Sequence, residues 1–156
     1  MKVPPISSMA ETFPSVHGRN LNKQSITVPD DYSDKNLIVF AAFQQWHQPD
    51  VDHCIALLEQ NNMQQSYHII EVPVIQKSTW FRQLRLDTIM RAGIRAPHIR
   101  QRTVTVYLDK GNFCEQLNIA NDNSIHWFVI AHSDKQILLR GEGKLTPEDL
   151  SQIQKL

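Results

Sequence analysis

The densest run of chemistry-bearing side chains is Trp46-His47-Gln48-Pro49-Asp50, followed at once by His53 and Cys54. Imidazole, carboxylate and thiolate are all metal ligands, so a copper or zinc site through His47 and His53 is one reading. A thiol nucleophile is a second, with Cys54 or Cys114 acting as in a thiol peroxidase. The third is that the run does no bond-making chemistry and forms a contact surface. Spacing weighs against the first two. Val51, Cys54, Ile55 and Leu58 fall at i, i+3, i+4 and i+7, one core-facing helical stripe, which puts the Cys54 thiol inside. A buried thiol without an activating base is inert. His47 falls in a turn and His53 in a helix, so a solvated histidine turn without metal is expected. His68, His98, His126 and His132 are scattered and make no second cluster. G-x-S-x-G, P-loop and G-x-G-x-x-G patterns are absent, and no cofactor is expected.

Two cysteines in 156 residues, neither in a C-x-x-C pair, fit two buried thiols better than a metal finger, and sequence alone does not decide a disulfide between them. Sixteen basic side chains balance sixteen acidic ones, which argues against general nucleic-acid binding. With 41% hydrophobic and 21% charged residues the chain is of globular type. Its length suits one domain over residues 13–156, behind a loose arm over 1–12. No window has the continuous apolar length of a membrane span. The first residues carry no apolar signal-peptide core, so the expectation is a cytoplasmic protein, or an exported one whose leader has been removed.

The elements that must hold the His47 turn follow from pattern. Leu37 to Phe43 is a short apolar run, read as a central parallel strand. Pro49 and Asp50 open a helix that Asn61-Asn62 ends. Before these, Phe13 to Pro29 reads as a small hairpin turning at His17-Gly18-Arg19-Asn20. After them, Tyr67 to Ile75 is a strand that Pro73 ends or disturbs. Thr79 to Ala92 is a helix between Ser78 and Gly93. Ile94 to Gln101 is a loop, Arg102 to Leu108 an alternating strand, and Asn112 to Ile119 a short helix. Ile125 to Ala131 and Gln136 to Arg140 form a hairpin through Ser133-Asp134-Lys135. The last helix is signalled by Thr146 as cap, Pro147 at N1, Asp149 closing a capping box, and Leu145 stapled to Leu150. Strands alternating with helices imply an α/β fold with a mostly parallel sheet, and the final hairpin adds an antiparallel edge.

In this order the chain resembles the peroxiredoxin-related branch of the thioredoxin superfamily. The resemblance rests on FPSVHGRNLNKQSITVPDDYSDKNLIVFAAF, MRAGIRAPHIRQRTVTVYLDKGNFCEQLNI and SIHWFVIAHSDKQILLRGEGKLTPEDL, which together span nearly the whole chain after about residue 12. More narrowly it is similar to the non-redox family of the mitochondrial ATP synthase assembly factor and its bacterial relatives. The resemblance implies a thioredoxin-like mixed sheet flanked by helices, with an N-terminal β-hairpin. Against a Trp-Cys-x-Pro-Cys turn, Trp46 and Pro49 keep their places while His47 and Asp50 stand where the thiols would be. Asn123-Ser124 likewise stand where a cis-proline would precede Ile125. Dithiol exchange needs two sulfurs, so the implied protein is a non-catalytic binding or assembly factor for a membrane or respiratory complex.

One more stretch bears on a partner. Lys77, Arg82, Arg85, Arg91, Arg95, Arg100 and Arg102 face only Asp87 in their window, interleaved with Trp80, Phe81, Leu86 and Met90. Arginine beside exposed aromatics is the composition of a binding surface. Trp80, Arg82, Arg85 and Arg91 are therefore expected to contact a protein partner, such as a membrane-complex subunit, or an anionic membrane surface. The bland alternative is an ordinary helix whose arginine stems cover apolar surface.

Overall fold

The computed structural model describes residues 11–76 and 97–156. Strands β1 (Val16–Asn20), β2 (Ser25–Val28), β3 (Asn36–Ala42), β4 (Tyr67–Gln76), β5 (Val104–Leu108), β6 (His126–Ile130) and β7 (Ile137–Glu142) form one sheet in the order β2-β1-β5-β4-β3-β6-β7. The centre is parallel, β3 with β4 and β4 with β5. Both flanks are antiparallel, β6 and β7 beyond β3, and β1 and β2 beyond β5. Helices α1 (Gln48–Gln60), α2 (Pro97–Arg102), α3 (Lys110–Gln116) and α4 (Pro147–Gln154) connect and cover it.

Strand β3 is apolar on both sides because the sheet is covered on both. Ile38 and Phe40 face α1 and α4, packing on Val51, Cys54, Ile55, Leu58, Leu150 and Ile153. Leu37, Val39 and Ala41 face the other layer, with Phe113 of α3 and Phe13. Phe13 sets its ring edge-on to Phe113 and Phe128, at centroid distances of 6.2 and 5.3 Å. The helical stripe read from sequence is the buried face of α1. Each such aliphatic side chain contributes about 1.5–3 kcal/mol on burial, which is what fixes the α1 axis against the sheet.

Helix α4 carries the expected reciprocal cap. Thr146 Oγ1 accepts from the Asp149 amide at 3.1 Å, and Asp149 accepts from the Thr146 amide at 3.0 Å. Leu145 and Leu150 are both buried beside it.

Several elements differ from expectation. The N-terminal hairpin forms, but His17 to Asn20 lie within β1 and the chain turns at Leu21 to Gln24. Asn20 Oδ1 accepts the amides of Asn22 and Gln24, and Lys23 adopts the left-handed conformation at φ 66°. Gly18 serves close approach, not turning: a Cβ there would sit 2.3 Å from the Thr105 carbonyl oxygen. Strand β4 continues through Pro73, which sits opposite Ala42 where pairing to β3 stops and pairing to β5 is about to begin at Val74. A missing amide is tolerated at that handover. Part of the expected 94–101 loop is helical, as α2. The expected helix over 79–92 lies outside the described residues.

Candidate functional site: the turn between β3 and α1

The turn is built by the end of β3, a 3-10 turn over Gln45–His47, and the first turn of α1. Proline at the helix start and Asp50 in the first turn suit the positive end of the helix dipole. Side-chain exposure along the turn alternates. Trp46 is 59% exposed, whereas His47 is wholly buried. Pro49 is exposed, and Gln48 and Asp50 are half-buried.

The burial of His47 corrects the expected solvated histidine. Its Nδ1 accepts from the amides of Phe43 at 3.0 Å and Gln44 at 3.3 Å. The imidazole thus caps the two amides at which β3 gives way to helix, and its ring proton must sit on Nε2. Nε2 is buried without a partner. The Trp46 ring lies nearly perpendicular over it, 4.4 Å between centroids. With Nδ1 accepting and Nε2 carrying the proton, neither ring nitrogen offers a free lone pair, and His53 points to solvent from α1. Among the described residues no group of three or more His, Cys, Asp and Glu side chains converges.

Behind the turn, Phe43 is the packing centre. Its ring lies 6.5 Å from His47, 6.0 Å from His126 and 6.2 Å from Phe113. His126 is buried at the start of β6 and donates from Nε2 to the Asn121 carbonyl at 2.8 Å. Lys110 donates to the Phe43 carbonyl at 3.4 Å and pairs with Asp122 at 3.6 Å. His126 stands apart from the other histidines in sequence. The register Ala41 against His126 brings it beside the turn, and no local pattern announces that. The cis peptide found among the described residues is Val28–Pro29, in the N-terminal hairpin and remote in sequence from Ser124.

Neither thiol sits at the turn. Cys54 is buried on α1, and its Sγ accepts from the Leu145 amide at 3.3 Å. Burial pushes this thiol up to about 11, with Asp50 and Asp149 adding to the effect and the Leu145 amide and Lys144 opposing it. Cys114, half-buried on α3, is also raised, first by burial and then by Asp122. Both are free thiols.

Of the basic run, Trp80, Arg82, Arg85 and Arg91 lie outside the described residues. Arg102 is described, and it does have an acidic partner: its Nη1 meets Glu59 of α1 at 2.9 Å. The partner comes from an element 43 residues away, so the local window that showed only Asp87 missed it. No helix among the described residues is long and apolar enough to cross a membrane.

These features define a thioredoxin-like domain: a mixed sheet with a parallel centre, an antiparallel hairpin beyond β3, and an exposed tryptophan where β3 enters α1. No family model and no curated protein matches the sequence. Solved structures do match in fold. A thiol:disulfide interchange protein from Bacteroides sp. aligns over 94% of this chain and 88% of its own, with 14% identity and a TM-score of 0.55. A DsbF homologue from Corynebacterium diphtheriae aligns over 100% and 98%, with 17% identity and a TM-score of 0.56. The mitochondrial 2-Cys peroxiredoxin from Plasmodium falciparum aligns over 91% and 88%, with 14% identity and a TM-score of 0.54. The chain thus has the fold of thioredoxin-like oxidoreductases and peroxiredoxins.

Proposed function

We propose that this chain is a non-catalytic binding protein, an assembly factor for a membrane or respiratory complex, on a thioredoxin-like frame that has given up thiol exchange. The observation that carries the reading is His47. At the first of the two positions where exchange chemistry needs sulfur, the side chain is an inward-facing imidazole engaged by two backbone amides. Asp50 at the second position cannot form a disulfide either. What the turn offers outward is Trp46, a large amphipathic side chain of the kind that anchors protein interfaces. The membrane complex as partner comes from the resemblance to the assembly-factor family, and the basic run around Arg82 and Arg85 supports it through its composition.

The thiol-peroxidase reading is weaker because both thiols are raised and Cys54 is buried among apolar side chains. Metal handling is weaker because His47 has no free lone pair to give.

The test has two parts. Purified protein should reduce insulin disulfides no faster than buffer. Detergent extracts of native membranes should yield a complex subunit on the immobilised protein, with recovery lost for Trp46→Ala and for the double reversal Arg82→Glu, Arg85→Glu. Measurable disulfide reduction would overturn the non-redox reading. Undiminished recovery with Trp46→Ala would remove the turn from the interface.

A further inference from the structure

Away from the turn's outer face, two complementary buried atoms are left without partners in one cluster: Glu71 Oε1 and Arg102 Nε. Glu71 is 1% exposed in the middle of β4, and faces α1, on the same side of the sheet as Ile69. An acidic side chain is rarely so buried unless it is paired or neutral.

The groups facing Glu71 among the described residues are few. From α1 come Asp52 and the amide of Gln48, which also donates to Asp52 at 2.9 Å. From the end of α2 and the start of β5 come Arg102 and Thr103. From β3 the register neighbour is Phe40. Burial dominates and raises the Glu71 carboxyl above its ordinary value; Asp52 adds to this, and Gln48, Arg102 and Thr103 oppose it.

Proton accounting at Thr103 points the same way. Its hydroxyl has one proton, and the shorter bond is to the Ile99 carbonyl at 2.8 Å. Thr103 Oγ1 lies 3.4 Å from Glu71 Oε2, a long contact, so with its proton on Ile99 the hydroxyl offers a charged carboxylate little. Arg102 meanwhile gives Nη1 to Glu59, whose side chain is 42% exposed, and keeps its Nε–H unused.

We propose that Glu71 and Arg102 form a proton-controlled latch between the middle of β4 and the end of α2. With Glu71 protonated, Arg102 is held outward by Glu59. When Glu71 releases its proton to solvent, the new carboxylate draws the Arg102 Nε–H onto Oε1. One guanidinium then bridges a surface and a buried carboxylate, which its several donors in a fixed plane allow. An unpaired buried carboxylate would be far costlier than this rearrangement. Because Gln48 follows His47 directly and reaches toward both Asp52 and Glu71, the latch adjoins the first turn of α1.

The test is an NMR titration of the full chain labelled with nitrogen-15. The Arg102 Nε–H signal is assigned by its loss in Arg102→Lys. In wild type it should move in a single step as pH rises, with a midpoint above the ordinary glutamate range. Its exchange with water, corrected for intrinsic pH dependence, should slow by about 10- to 100-fold, as a hydrogen bond to a charged acceptor implies. Glu71→Gln should abolish the step, and Glu59→Gln should retain it. A second readout needs no variant: the Glu71 side-chain carboxyl carbon should titrate with the same midpoint as Arg102 Nε–H. Two different midpoints, a step that survives Glu71→Gln, or a flat wild-type trace would each overturn the latch.

Discussion

Replacing His47 by leucine isolates the capping role of its imidazole. Leucine keeps an apolar body in the buried space and removes both ring nitrogens. The amides of Phe43 and Gln44 then lose the acceptor they share. A buried donor left unpaired costs about 1–3 kcal/mol, so two cost about 2–6 kcal/mol. Against that, the orphaned Nε2–H of His47 disappears, returning about 1–3 kcal/mol by the same reasoning. The net expectation is a loss of about 1–3 kcal/mol, with a fall in Tm of about 2–12 °C for a domain of this size. His47→Asn is the companion variant, since its carbonyl oxygen can accept one of the two amides, and it should fall about midway. Urea unfolding at pH 7, followed by circular dichroism and by tryptophan fluorescence, measures both. A leucine variant within about 0.5 kcal/mol of wild type would refute the capping argument, because surface substitutions already scatter that much.

The raised Cys54 thiol makes stability fall with alkali. Its proton is held more tightly when folded, so the contribution is intact below the unfolded value near 9 and is lost as pH rises toward about 11. The loss is on the order of 2–3 kcal/mol by the top of that range, and Cys54→Ala should flatten this part of the unfolding-versus-pH curve. Gly141→Ala should destabilise by about 1–3 kcal/mol, since the added Cβ would fall 2.3 Å from Cζ2 of the buried Trp127. Thermal melts that matched wild type would show that β7 yields freely there. Thr146→Ala should cost about 1 kcal/mol by loss of the α4 cap, measured as a shift in urea midpoint at constant slope.

What could be read from sequence divides along a physical line. Helices α1 and α4 announced themselves because proline at the start, acids in the first turn and a period-3.6 apolar stripe are all local signals. Strand β3 did so because burial on both faces leaves seven residues with almost no polar side chain. The hairpin turn was misplaced because Gly18 looks like a turn residue until the Thr105 carbonyl is seen against it. The site was half legible. The absence of sulfur at positions 47 and 50 is plain in the letters, but the inward rotation of His47 depends on amides three and four residues earlier needing an acceptor. The neighbours of His126, Glu71 and Arg102 were out of reach, since strand register sets those of the first two and an ion pair across 43 residues that of the third.

The way the chain enters the domain sets when the domain can be finished. Glu11, Thr12 and Phe13 lie against the last hairpin: Thr12 bridges Gln136, Phe13 donates to the Lys135 carbonyl, and Glu11 accepts from the Ile137 amide. Glu11 also pairs with Arg140, which stacks on Phe128, while Ser15, Asp30 and Lys135 hold one another nearby. From there the chain runs beneath the sheet to β1 and β2 on the far edge. Residues 11–13 therefore wait for residues 135–140, made more than 120 residues later, and until then a growing chain holds its parallel centre without its clasp. Closure over such a span slows assembly more than it weakens the finished product. A chain still lacking residues 126–142 would present Phe13 and the unpaired edge of β3 to its surroundings until that hairpin arrives.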